Sequence, residues 1–211
     1  MKNYLTVKQN VQNEIIIEKS RFITSLKRVY GEDDAKAFVQ GVKSEYPDAT
    51  HNCYAYVADE GGFFAKFSDD GEPQGTAGLP MLETIKAKGL KQVAVVVTRY
   101  FGGVKLGTGG LARAYADCVK KAIDKAGVKS VVWSNTFKCE VSYAIYPKIV
   151  KIIEGCEGVV TKIDYLSQNV ELTFSAPVEK AGTLIDKIID YSAGKCAVLT
   201  LNEGYFEYDL I

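Results

Sequence analysis

FSDDGEPQGTAGLPMLETI (residues 67–85), followed by QVAVVVTRYFGG (92–103) and VKLGTGGLARAYADCV (104–119), is the stretch whose reading decides the fold. Asp69, Asp70, Gly71 and Pro73 break regular structure, and Thr76 is placed to cap a helix, so a polar loop feeds a helical segment. Pro80 is tolerated in a first helical turn, where the N–H it lacks has no intrahelical partner, and it fits a helix from about Ala77 to Lys88. Met81, Leu82 and Ile85 give that helix an apolar side. Val93–Val97 is an unbroken run of valine and alanine, which predicts a strand covered on both faces; Thr98, Arg99 and Tyr100 mark where it emerges.

Five of the nine residues from Gly102 to Gly110 are glycine, so this loop has no core of its own and allows close approach of backbone to a ligand or another chain. Leu111, Tyr115, Val119, Ala122 and Ala126 then recur at helical spacing, so the glycines open a helix that Gly127 stops. Free N–H groups at a helix start carry about half a positive elementary charge and attract anions. Arg99, Lys105 and Arg113 flank that point, and Asp69, Asp70 and Glu72 supply the opposite charge from the earlier loop. The two loops are therefore expected to form one polar surface.

Composition narrows the classes. The chain has 211 residues, 47% of them hydrophobic and 25% charged, enough for a real core in one large or two small domains. Lys plus Arg equals Asp plus Glu, 26 each, so no global field draws the protein to nucleic acid or an anionic membrane, and any RNA contact must be a local patch. Cys53, Cys118, Cys139, Cys156 and Cys196 are scattered and include no CxxC pair, which argues against zinc and disulfide frameworks and for buried, reduced thiols. No segment approaches the roughly twenty apolar residues needed to cross a bilayer, and the N-terminus does not read as a signal peptide; the cytoplasm is the expected compartment, with no membrane partner.

Upstream, residues 4–7, 14–17 and 21–29 read as strands interrupted by a basic turn at Lys19–Arg21. Ala35, Phe38, Val39, Val42 and Tyr46 lie on one face of a helix that starts in Glu32, Asp33 and Asp34 and ends before Pro47. Residues 51–58 and 63–67 read as a hairpin around Glu60–Gly62. Downstream, VKSVVW ends a first unit, and Asn135 and Thr136 mark a boundary, giving domains 1–134 and 135–211. The remainder reads as strand 137–145, helix 147–154, strands 159–165 and 170–175, helix 178–191 and strand 197–201, the βαββαβ order of ferredoxin-like domains. Ala181, Leu184, Ile185, Ile188 and Ile189 form its second helix's apolar stripe, and the tail GYFEYDLI reads as an added edge strand.

Several motifs fail on spacing. Gly107, Gly109 and Ala112 match a relaxed GxGxxA, but nine residues separate them from the preceding strand and the later acid is missing; no lysine follows Gly107 as a phosphate-binding P-loop requires. Asp69, Asp70 and Glu72 lack the regular ligand spacing of a calcium loop, and Glu72 is better read as pairing with Arg99 or Arg113. No metal or cofactor is expected. His51 is the only histidine; it and Cys53 are expected to leave their strand on opposite faces, so His51 is read as structural. A basic and aromatic RNA surface of Lys19, Arg21, Lys66, Arg99, Lys105 and Arg113 with Phe22, Tyr54, Tyr100 and Phe101 is set against a solvated face over core aromatics, which is slightly preferred.

FSDDGEPQGTAGLPML with VVVTRYFGGVKLGTGGLARAY, and the earlier KSRF and HNCYAY, resembles the IMPACT/YigZ family over roughly Glu18–Ala126, and the βαββαβ unit resembles the extra domain of its bacterial members. The resemblance implies an α/β (α+β) protein. Its first domain would be of the ribosomal-protein type found as the fourth domain of elongation factor G, and its second ferredoxin-like. It also implies a link to translation: eukaryotic relatives, which share only the first domain, restrain a stress-activated initiation-factor kinase by competing for its activator. The matching positions become surface candidates for ligand binding: Asp69, Asp70, Glu72, Gly75, Arg99, Gly102, Gly103, Lys105, Gly107, Gly109, Gly110 and Arg113. The expected protein is a regulatory or binding protein contacting RNA, the ribosome or a translation-associated protein. The alternative is an enzyme holding the anion of a phosphorylated or carboxylated small molecule at Gly107–Gly110, which requires an enclosed pocket joining the loops.

Overall fold

The computed structural model describes residues 3–209, which divide into two compact units holding Tyr4–Ser130 and Val131–Tyr208. In the first, an antiparallel sheet runs in the order β2 (Val11–Ile17), β3 (Ser20–Arg28), β6 (Val93–Tyr100), β4 (His51–Val57), β5 (Ala65–Ser68). Helix α1 (Glu32–Glu45) covers one face; α2 (Gly78–Ala87) and α3 (Gly107–Ala126) cover the other. The central strand explains its own sequence: Val93, Val95 and Val97 join Met81, Ile85 and Val119, while Ala94 and Val96 join Ala35, Val39 and Val42. A strand packed on both faces has no use for alternating polar residues.

β1 (Tyr4–Val7) is tied to the segment just before β6: Lys91 N–H donates to Leu5 O at 2.9 Å, and the Tyr4 hydroxyl to Gln92 Oε1 at 2.8 Å. The β2–β3 hairpin turns at Glu18 and Lys19, whose φ of 46° and 66° make a two-residue left-handed turn that matches strand twist. The turn therefore sits one residue earlier than the expected Lys19–Arg21, since Ser20 and Arg21 already pair with Ile17 and Ile16. Gly102 rests on it: a Cβ there would lie 2.1 Å from the carbonyl carbon of Lys19, which no side chain tolerates.

The second unit follows β7 (Val128–Ser142), α4 (Tyr146–Gly155), β8 (Val159–Tyr165), β9 (Asn169–Pro177), α5 (Val178–Tyr191), β10 (Val198–Asp209). Its strands lie in the order β10–β7–β9–β8, the fourth beside the first, as in ferredoxin-like domains. Phe137, Leu172, Phe174, Ile149, Ile153, Leu184 and Ile188 fill its core.

Two expectations change here. VKSVVW and the strand expected from Phe137 are one fifteen-residue strand, because Asn135 and Thr136 pair in register with Ala176 and Ser175 and so do not interrupt it. The aromatic tail lengthens β10 instead of forming a strand of its own, and its last two residues, Leu210 and Ile211, lie outside the described residues. In α5, Ile189 is 40% exposed and stands at the edge of the stripe that Ala181, Leu184 and Ile188 bury. No helix among the described residues is long and apolar enough to cross a membrane.

Candidate functional site

Because β5 and β6 both run antiparallel to β4, with Ser68 opposite Tyr54 and Arg99 opposite His51, the chain leaves the sheet toward residues 69–76 and 101–106 at the same end. The buried centre between these exits is an ion pair. Glu72, 8% exposed, accepts through Oε1 from Arg99 Nη1 at 2.6 Å and from the Tyr115 hydroxyl at 2.8 Å. Arg99, 4% exposed, also donates from Nη2 to Ser20 Oγ at 3.2 Å, and its guanidinium lies 5.4 Å from the ring centroids of both Phe22 and Phe101. Ser20 Oγ in turn accepts from Gly102 N–H at 3.2 Å. Tyr115 is eight residues past Gly107, the first residue of α3, about 12 Å along its axis, so the first loop meets α3 just over two turns from its start.

Asp69 acts as a remote helix cap. Its Oδ1 accepts from the N–H groups of Ala77 (3.0 Å) and Gly78 (2.8 Å), and its Oδ2 from that of Gly75 (2.9 Å). Thr76, the expected cap, instead donates its hydroxyl to Pro73 O at 2.6 Å, because a carboxylate eight residues before Ala77 already occupies the start of α2. A Cβ on Gly78 would fall 2.7 Å from Ser68 O, so glycine lets α2 begin directly against β5.

Asp70 adopts a left-handed φ of 45°, accepts from Asn52 N–H at 2.7 Å through Oδ2, and pairs with Lys43 through Oδ1. Burial pushes its pKa up, but the Lys43 ammonium and the Asn52 N–H outweigh it and hold the carboxyl below its ordinary range. A carboxyl more acidic in the folded than in the unfolded chain stabilises the fold above the unfolded pKa, and that contribution disappears as pH falls through the lower folded value. Wild type is thus expected to lose stability below about pH 4, and Asp70→Asn to flatten that acid limb in urea melts recorded from about pH 7 to about pH 2.5.

His51 and Cys53 share one face of β4, contrary to the opposite-face expectation, because residues two apart on a strand point the same way. His51 Nδ1 lies 2.9 Å from Asp70 O and Nε2 3.8 Å from Glu72 Oε2. Cys53 Sγ donates to Asp69 O at 2.9 Å and lies 3.4 Å from the Tyr115 hydroxyl oxygen. Burial pushes this thiol up to about 12, so it holds the loop and is no nucleophile. All five cysteines are free and buried.

The candidates therefore separate. Asp69, Asp70, Glu72, Gly75, Arg99 and Gly102 are engaged by neighbouring protein groups. Gly103, Lys105, Gly107, Gly109 and Arg113 are exposed or half-exposed, and Gly110 partly so. Gly103 and Gly107 take φ of 85° and 71°, α3 begins with neither a capping side chain nor an acid in its first turn, and Lys105 and Arg113 have no ion-pair partner among the described residues. The broader basic and aromatic surface does not assemble as one patch: Phe22 and Arg99 are in the core, Arg21 pairs with Glu14, and Tyr54 and Lys66 line a cleft beside α1. Among the described residues no group of three or more His, Cys, Asp or Glu is placed to hold a metal. The roles of Tyr115 and Ser20 are not visible in the sequence; their only signal is a polar group recurring where apolar side chains set the pattern.

This is a two-domain α/β architecture in which a Glu72–Arg99 centre ties a polar loop to a glycine-opened helix, and its parts have relatives: residues 18–123 match the Impact N-terminal domain, and residues 139–195 match a domain of unknown function (DUF1949). The chain belongs to the IMPACT family. It is 39% identical over 206 residues to the IMPACT family member YvyE of Bacillus subtilis, covering 98% of this chain and 93% of that protein. It is also 39% identical over 191 residues to the IMPACT family member YigZ of Escherichia coli, covering 89% and 92%. A Dictyostelium discoideum protein named Protein IMPACT homolog is 35% identical over 94 residues, 43% of this chain and 27% of that one. A solved structure described as a hypothetical protein is 36% identical, with a TM-score of 0.60 over 96% of this chain and 98% of its own.

Proposed function

We propose that this chain is a cytoplasmic, translation-linked binding protein that contacts RNA, that of the ribosome included, through residues 103–113. One observation carries the reading: the α3 start is open, its N–H groups uncapped and flanked by Lys105 and Arg113, neither of them ion-paired among the described residues. Partial positive charge at a helix start, two long cationic side chains and glycine-permitted approach are what a phosphate backbone requires of a protein. Catalysis has weaker support, since Asp70 and Glu72, the carboxylates it would use, are each held by protein donors and the loops are joined by buried side chains.

Binding of single-stranded RNA and of ribosomes, measured against salt, tests this. The Lys105→Ala/Arg113→Ala variant is expected to bind more weakly, with a log–log salt slope shallower by about 1.4, the value for two lost single-strand phosphate contacts. Equal affinity and slope in wild type and variant would remove RNA and leave a translation-associated protein as the partner to seek.

A further inference from the structure

On the α1 face of the first unit's sheet, away from α3, a cleft of about 280 Å³ opens between α1 and the β4–β5 hairpin. Lys36, Gln40 and Lys43 line it at i, i+4 and i+7 of α1, and Tyr54, Tyr56 and Lys66 from the sheet. The two rings stand parallel within 9° at 6.1 Å, Tyr56 buried and Tyr54 half-exposed, and Lys66 lies directly across from Tyr56 in register.

One carboxylate oxygen at this cleft is used twice. Lys36 and Lys66 both hold the same oxygen, Glu32 Oε1, the first at 3.1 Å and the second closer. Lys43 pairs with Asp70 and lies 5.8 Å from the Tyr54 ring centroid. Asp33, fully exposed, is a further 4.0 Å partner of Lys36, so the three ammonium groups meet three carboxylates, with one oxygen of Glu32 taken by two of them. Two like charges converging on one oxygen are relieved by a second anion, and an ammonium is a point-charge ligand for phosphate. A tyrosine face beside it is a surface on which a base stacks.

We propose that this cleft binds a nucleotide phosphate, with Lys36, Lys43 and Lys66 as its donors and the Tyr54 ring as the platform for the attached base. The volume is near the lower end of small-ligand cavities, about 300 Å³, which suits one nucleotide unit, whether free or part of single-stranded RNA. The site shares no residue with 103–113 and does not depend on the function proposed for that segment.

Calorimetric titration of the full chain with AMP, inorganic phosphate and hexauridylate tests it. AMP is expected to saturate and to bind more tightly than phosphate. Lys36→Ala with Lys66→Ala, both exposed positions that leave the fold intact, weakens AMP about tenfold or more, the loss of one or two charge-assisted hydrogen bonds. Glu32→Gln strengthens it by removing the competing carboxylate, and Lys105→Ala/Arg113→Ala leaves it unchanged. In the Lys105→Ala/Arg113→Ala background, which removes the other RNA surface, hexauridylate binding tenfold tighter than AMP and weakened by the Lys36→Ala and Lys66→Ala changes would identify RNA as the source, and equal binding a free nucleotide; either result keeps the site. Absence of saturation by both AMP and hexauridylate, or equal AMP affinity in wild type and the double lysine variant, overturns it.

Discussion

Glu72→Ala is expected to lower folding stability by about 3–5 kcal/mol, because it strands a buried guanidinium. Arg99 is 4% exposed and its Nε already lacks a partner, so water cannot replace the lost carboxylate without opening the structure. The same change leaves the Tyr115 hydroxyl, in the core beside Phe22, without its acceptor. Urea unfolding monitored by circular dichroism measures the loss. Glu72→Ala combined with Arg99→Met should recover a large part of it, since removing both charges ends the desolvation problem that removing one creates. A cost under about 1 kcal/mol for the single change would mean that the pair behaves like an exposed salt bridge and that no buried ionic centre joins the two loops.

Asp69→Ala is the second large effect, at about 2–4 kcal/mol, since three N–H donors lose a charged acceptor together. The damage should be local. Amide exchange at Gly75, Ala77 and Gly78 is expected to accelerate more than at β6, whereas general loosening would raise all of them alike. Asp69→Asn keeps one acceptor oxygen and is expected to cost clearly less than alanine. If alanine and asparagine are equally mild, α2 is capped by something other than this carboxylate.

The sequence offers Glu72 two partners, Arg99 or Arg113, and the fold selects Arg99; the other contacts behind these predictions are ones that spacing could not supply. Helical periodicity places Tyr115 on the apolar face of α3 correctly, but periodicity says nothing about a hydroxyl finding a carboxylate 43 residues away. Thr76 is the natural local cap, and it loses to Asp69 because the loop doubles back and brings a charged acceptor to the same N–H groups. The exposed half of the candidate site is more legible: glycines opening a helix without an acid in its first turn announce free N–H groups whatever the fold around them.

Sequence alone determined the elements whose cause is local: the doubly buried valine strand, the helix that tolerates Pro80, the glycine-opened α3 stopped at Gly127, and the βαββαβ order of the second unit. Tertiary structure alone decided which charges remain available. Arg99 and Glu72 look like Arg113 and Asp70 on paper, yet the folding of the 69–76 loop onto Arg99 and Tyr115 puts the first two inside, while Arg113 stays in water. Burial is a property of the packed layers, and side-chain chemistry at the surface is whatever that packing leaves unpaired.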